Sequence, residues 1–239
     1  MKKSDLLLVT SLVVLVAYLL LSLVVPGINS LTSTAYQIFL DLSLVMGYPG
    51  ALIVSFVGNA TILVPFPYVT VSFVLGGLTG GAPPVFLFDP LVVGLLSGVG
   101  AALGEMTGYV VGYTGGKLID EDQRSGFKRY VELYPKKTPL VLWFLAVTPI
   151  PDDVLLVPLG AAKYPWWKVL IPQLIGKFMF LTAISYAGRF GLSIVEALIG
   201  SASPTSFVSR LIEVSALLLV VLAIYALVRI DWASLAKKE

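Results

Sequence analysis

Apolar runs long enough to cross a bilayer alternate with short polar breaks along most of this chain. Leu6 to Val25, Leu91 to Tyr113, Trp166 to Ala187 and Arg210 to Ile230 each read as a spanning helix, because ~20 apolar residues match the hydrocarbon thickness of a membrane. Two further apolar stretches, 51–81 and 140–162, are interrupted by proline: Pro65 and Pro67 in the first, Pro149 and Pro151 in the second. Proline lacks an N–H and restricts the residue before it, so neither stretch predicts one straight helix. The mildly polar segment Asn29 to Gly47 predicts an amphipathic helix along the interface. GAPPVFLFDP, residues 81–90, reads as a loop.

The interior carries one strongly polar segment, KLIDEDQRSGFKRYVELYPKK, with Lys117, Arg124, Lys128, Arg129, Lys136 and Lys137. The excess of positive charge assigns it to the cytoplasm. With the N-terminus also inside, the first broken stretch must start and finish outside, and the second must start and finish inside. Each becomes a re-entrant hairpin, and the two enter from opposite faces. They share the pattern P-x-P-x8-G, at Pro65-Phe66-Pro67 with Gly76 and at Pro149-Ile150-Pro151 with Gly160, spaced 84 residues apart.

The expected fold is therefore an all-α polytopic membrane protein, an inverted repeat with two opposed re-entrant helical hairpins plus about four transmembrane helices. Residues 1–28 form an N-terminal transmembrane helix, 29–190 a core containing the hairpins 51–81 and 140–162, and 191–239 a C-terminal transmembrane helix with a basic tail. Both termini are expected in the cytoplasm of a multi-pass cell-membrane protein. The start MKKSD resembles a signal peptide, but the following apolar run is too long and lacks a small-x-small cleavage site, so it reads as a retained span.

Composition supports this reading. Of 239 residues, 57% are hydrophobic and 13% charged, with mean hydropathy +0.93; soluble domains carry roughly a quarter charged residues. A net charge of +2 without an aromatic-interleaved basic patch argues against nucleic acid as a partner. The absence of cysteine and histidine excludes disulfides, thiolate and imidazole metal ligands, and mechanisms that use a Cys nucleophile or a His base. No cofactor and no metal site are expected.

Glu105 lies inside a spanning helix, where an ionisable group costs a few kcal/mol and normally faces a cavity or a partner. It either works in transport, as proton carrier or headgroup contact, or forms a structural ion pair with Lys177 or Arg189. Tyr109, one turn along the same face, is placed to hydrogen-bond it. Asp152 and Asp153 follow Pro151 and precede an apolar run, so they either cap a helix or face a cavity. Asn59 precedes the first hairpin tip. Gly104, Gly108, Gly112 and Gly116 form a small-xxx-small stripe for close helix packing, against a hairpin of the same chain or a second subunit. The proline-broken backbone at Pro65, Pro67, Pro149 and Pro151 survives at depth only inside protein or beside water, which predicts a polar cavity between the hairpin tips, as in transporters with half-helices at the midplane.

The glycine-rich helix GVGAALGEMTGYVVGYTGGK fits the pattern G-E-x-x-G-Y-x-x-G at Gly104, Glu105, Gly108, Tyr109 and Gly112. Together with the proline-containing segment Thr148 to Gly160, the tryptophan-rich start of the next helix and Gly176, it resembles the DedA family, whose core is the VTT or SNARE-associated domain. The resemblance extends over roughly Gly50 to Arg189. It implies two opposed re-entrant hairpins and an activity that moves lipid, such as phospholipid or a polyprenyl-phosphate carrier, across the membrane. Where many bacterial relatives carry two hairpin arginines, Thr148 and Val154 stand here, and Asp152-Asp153 make the tip acidic.

The function expected is that of a lipid translocase rather than an enzyme, with membrane lipid as partner, proton coupling through Glu105, Asp152 and Asp153, and a homo-oligomer as one arrangement. A proton-coupled transporter of a small solute or ion is the alternative. An intramembrane hydrolase ranks below both, since two adjacent Asp cannot face each other across a water as an aspartyl dyad does.

Overall fold

The computed structural model describes residues 3–25, 37–60, 68–115, 121–148 and 152–191, with positions 214, 218, 221, 222 and 225. The elements in chain order are α1 (Lys3–Val24), α2 (Gln37–Met46), α3 (Tyr48–Ala60), α4 (Tyr68–Gly77), β1 (Thr79–Gly80), β2 (Val85–Phe86), α5 (Pro90–Gly115), α6 (Glu121–Leu133), α7 (Lys137–Ala146), α8 (Asp153–Ala161) and α9 (Trp166–Arg189). Pro65, Pro67, Pro149 and Pro151 lie outside the described residues, as does nearly all of the fourth expected span.

Among the described residues two helices, α5 with 26 residues and α9 with 24, are long and apolar enough to cross a membrane. The four helices flanking the proline breaks are short: α3 has 13 residues, α4 and α7 have 10 each, and α8 has 9. At a rise of ~1.5 Å per residue none reaches beyond about 20 Å, so none spans the ~30 Å apolar layer alone. Within each broken stretch the structure thus describes two short helices, one on either side of the proline pair. The helix α2 falls within the segment expected to be amphipathic, and its buried Ser43 packs against Gly50 of α3.

One expectation needs correction. The all-α fold carries one small antiparallel pair, Thr79 with Phe86 and Gly80 with Val85, in part of the region read as a loop; Gly81, at φ +84, supplies the left-handed turn residue between the strands. The polar segment 117–137 contains the helix α6, which buries Phe127 and Val131.

Packing is reciprocal. The long helix α5 carries α3 and α8, the long helix α9 carries α7 and α4, and α5 and α9 pack on each other. Each long helix thus holds the first half-helix of its own half and the second half-helix of the other. Glycines set the distances. Gly112 abuts the Val157 carbonyl of α8, and Gly160 the Tyr109 carbonyl of α5; in the other half, Gly188 abuts the Phe73 carbonyl of α4, and Gly76 the Ser185 carbonyl of α9. A Cβ at any of the four would overlap the facing carbonyl, so the backbones meet directly. The equivalent long-helix positions (112 and 188, 109 and 185) are 76 residues apart, and the short-helix ones (76 and 160, 73 and 157) are 84 apart. Of the stripe on α5, Gly104 meets α3 and Gly112 meets α8, and Gly100, one turn earlier, also meets α3.

Apolar side chains gather in two clusters. One joins Tyr109, Phe127, Leu142, Leu156, Leu159 and Val169; the other joins Ala51, Val54, Val71, Leu75 and Val93. The buried charged residues belong to neither.

Candidate functional site

The second half-helices begin where the two long helices hold their buried charges. Lys177 of α9 places its Nζ 2.5 Å from Glu105 Oε1 of α5 and 3.3 Å from Asp152 Oδ2 at the start of α8, and all three side chains are 4% exposed. The longer contact is electrostatic, because Asp152 Oδ2 makes no hydrogen bond. Tyr68, the first residue of α4, lies close enough to Lys177, Glu105 and Asp152 for their charges to act on its phenol. An ammonium has three donors, and here it faces two carboxylates and a phenol contributed by α5, α8 and α4.

Tyr68 and Asp152 are the residues that follow P-x-P in the two copies of the repeated pattern. Both sit at a half-helix start, so the N-termini of α4 and α8 lie beside the cluster, where their dipoles favour negative charge. Two carboxylates and one ammonium carry a formal surplus of one negative charge, and Glu105 Oε2 has no hydrogen-bond partner among the described residues. One proton would neutralise the set. Taking three charges out of water costs several kcal/mol per ion, and mutual attraction offsets this only when each has its partner.

The surroundings are polar along one seam. Ser72 Oγ of α4 donates to Ser97 Oγ of α5 at 2.9 Å. Gln173, one turn before Lys177 on α9, is fully buried, and neither end of its amide is hydrogen-bonded among the described residues. The broken helix ends are satisfied by side chains: Thr107 Oγ1 donates to the Ala60 carbonyl at the end of α3, and Thr148 Oγ1 to the Leu145 carbonyl at the end of α7. Such substitutes are what backbone at membrane depth requires. Among the described residues, no group of three or more His, Cys, Asp or Glu is placed to hold a metal ion.

Several sequence candidates fall elsewhere. Tyr109 does not bond Glu105; its hydroxyl donates to the Tyr164 carbonyl at 2.6 Å, because that carbonyl is presented at the turn between α8 and α9. Asn59 donates to Ser55 of its own helix. Arg189 does not pair with Glu105: its guanidinium donates to the carbonyls of Gly76 and Phe88 and stacks on the Phe86 ring, holding the β-hairpin to the end of α9. Asp152 occupies the N-cap position without a side-chain capping bond, its carboxylate being turned to Lys177. The side chain of Asp153 lies outside the description. Tyr68, Gln173, Ser72 and Ser97 were not singled out by the sequence, although Tyr68 could have been found as the counterpart of Asp152 in the repeat.

Comparison with known proteins agrees with the glycine-rich motif. The VTT domain family matches residues 66–190, a region that includes α4, α5, α8, α9 and every member of the charge cluster. No curated protein and no solved structure matches the chain. With more than half its length covered by the family and two long apolar helices at its centre, the chain belongs to the VTT domain family of membrane proteins.

Proposed function

We propose that the protein is a membrane lipid translocase, in which the headgroup of a phospholipid or polyprenyl phosphate crosses along the polar seam while its tails remain in lipid. The observation that carries this reading is the buried Lys177–Glu105–Asp152 cluster. A charge set at the meeting point of half-helices, in a membrane protein, is the arrangement by which inverted-repeat transporters hold an ion or polar group. The reciprocal glycine contacts support two inverted halves, and the short lengths of α3, α4, α7 and α8 support re-entrant arms that enter from opposite faces. Lys177 offers the charge complement for a headgroup phosphate, and Glu105 and Asp152 would exchange it, or a proton, as the headgroup passes. Transport, not catalysis, is the activity this assembly serves.

A reconstituted lipid-movement assay tests the reading. Full-length protein in liposomes is expected to speed the transbilayer movement of a labelled phospholipid or polyprenyl phosphate. Glu105→Gln, which keeps the shape and removes one charge, should reduce the rate by roughly tenfold or more, about 1.4 kcal/mol, with its thermal unfolding midpoint close to that of the wild type. Wild-type protein that moves no headgroup faster than empty liposomes would sink it. The same cluster also favours one second reading, a proton-coupled transporter of a small solute or ion, since a single proton neutralises it; uptake that follows a pH gradient without lipid movement would select that reading.

A further inference from the structure

Away from the charge cluster, α6 and the turn joining α8 to α9 enclose a cleft of about 240 Å³ walled by Lys128, Lys163, Lys168, Tyr164, Pro165 and Glu132, among other residues. Its charge is unbalanced. The one acid, Glu132, lies 4.0 Å from Lys128 on the same helix, whereas Lys163 and Lys168 make no ion pair among the described residues. Their ammonium groups rest instead over aromatic rings, Lys163 at 5.6 Å from the Tyr113 centroid and Lys168 at 5.2 Å from that of Trp167. Such contacts hold a cation in place and leave its donors available.

Three details of the wall favour an anion. Lys163 ends α8 in a left-handed conformation, φ 55, with its N–H bonded to the Gly160 carbonyl, and its side chain lines the cleft. Pro165, the N-cap of α9, supplies no side-chain cap, so the N–H groups of Trp166 and Trp167 and the helix dipole favour negative charge. Tyr164 is buried, and its hydroxyl has no hydrogen-bond partner among the described residues; burial pushes this phenol above its ordinary range, so it remains a donor at neutral pH. Trp166 and Trp167, about half exposed, follow at once, and exposed tryptophans at the start of a spanning helix mark the membrane–water boundary.

We propose that this cleft binds a phosphate group at the membrane boundary, held by Lys163, Lys168 and Lys128, with either an anionic lipid headgroup or free phosphate as its source. The volume lies below the ~300–1,000 Å³ of pockets for drug-sized ligands, which suits a phosphate with a short substituent whose tails, if any, lie outside. The site is separate from the buried cluster and stands whether or not the chain moves lipid.

The test uses full-length protein in two settings: calorimetric titration with inorganic phosphate in detergent, and native mass spectrometry from nanodiscs of phosphatidylcholine with and without phosphatidic acid. Wild type is expected to bind phosphate, to retain phosphatidic acid over phosphatidylcholine, or both; retention from nanodiscs without response to inorganic phosphate assigns the lipid source, and the reverse assigns the free anion. Lys163→Gly/Lys168→Gln should weaken whichever binding is seen by about tenfold. Glycine accepts the left-handed backbone, so the variant removes charge without adding strain. Should that pair fail to fold, Lys168→Gln alone carries the test, with a severalfold loss expected. Equal binding by wild type and a folded variant, or no binding of either probe by wild type, overturns the proposal.

Discussion

Lys177→Met is expected to leave little folded protein. The ammonium is the sole cation within reach of Glu105 and Asp152 in the described structure, and its removal strands two carboxylates that are 4% exposed. Breaking a buried ion pair from one side costs roughly 3–5 kcal/mol, a large part of the ~5–15 kcal/mol that holds a domain together. The measurement is the monodisperse fraction after detergent extraction, with the thermal unfolding midpoint of whatever survives. The loss should be recovered in Lys177→Met/Glu105→Gln/Asp152→Asn, where no charge remains to be stranded, and that rescued protein should still fail to transport. If Lys177→Met alone is as stable as wild type, the three side chains are not the closed electrostatic unit described above.

Matched substitutions at Gly112 and Gly188 should destabilise to a similar degree. Each glycine faces a backbone carbonyl of the opposite half, Val157 and Phe73 respectively, and an added Cβ would overlap it in both places. A flexible side chain can move aside; a helix backbone cannot without shifting the whole element. Gly112→Leu and Gly188→Leu are therefore expected to exceed the usual ~1–3 kcal/mol of overpacking. Gly115, whose Cβ position has no neighbour within 4 Å among the described residues, serves as the contrast: Gly115→Ala should leave stability unchanged or raise it slightly, because alanine favours the helix by up to ~1 kcal/mol. Unfolding midpoints of the three variants decide the matter. A severe Gly112→Leu beside a silent Gly188→Leu would break the equivalence of the halves.

Long helices were the most legible part of the chain, since uninterrupted apolar runs between polar flanks leave few alternatives; α5 and α9 begin and end within about two residues of their expected bounds. The proline pairs also marked the two stretches whose described helices are short. Glu105 and Lys177 stood out as isolated charges in apolar sequence, but their pairing depends on how α5 crosses α9, which periodicity does not encode. Small residues tell how closely helices approach, not which helix approaches, so the partner of the glycine stripe needed coordinates. Tyr109 shows the same limit from another side: its spacing from Glu105 was right for a hydrogen bond, yet the Tyr164 carbonyl won because a turn distant in sequence presents an acceptor. Tyr68 passed unnoticed since tyrosine in a membrane protein ordinarily reads as an interfacial anchor.

The two spacings, 84 for the short helices and 76 for the long ones, differ because twelve residues join α4 to α5 through the β-hairpin, whereas four join α8 to α9. The eight extra residues sit wholly in that outer connection, leaving the paired crossings undisturbed. Surface connections absorb added length at small entropic expense, so this ribbon is a natural attachment point: an epitope or dye spliced at its Pro83-Pro84 tip would report which side of the membrane it occupies while transport proceeds.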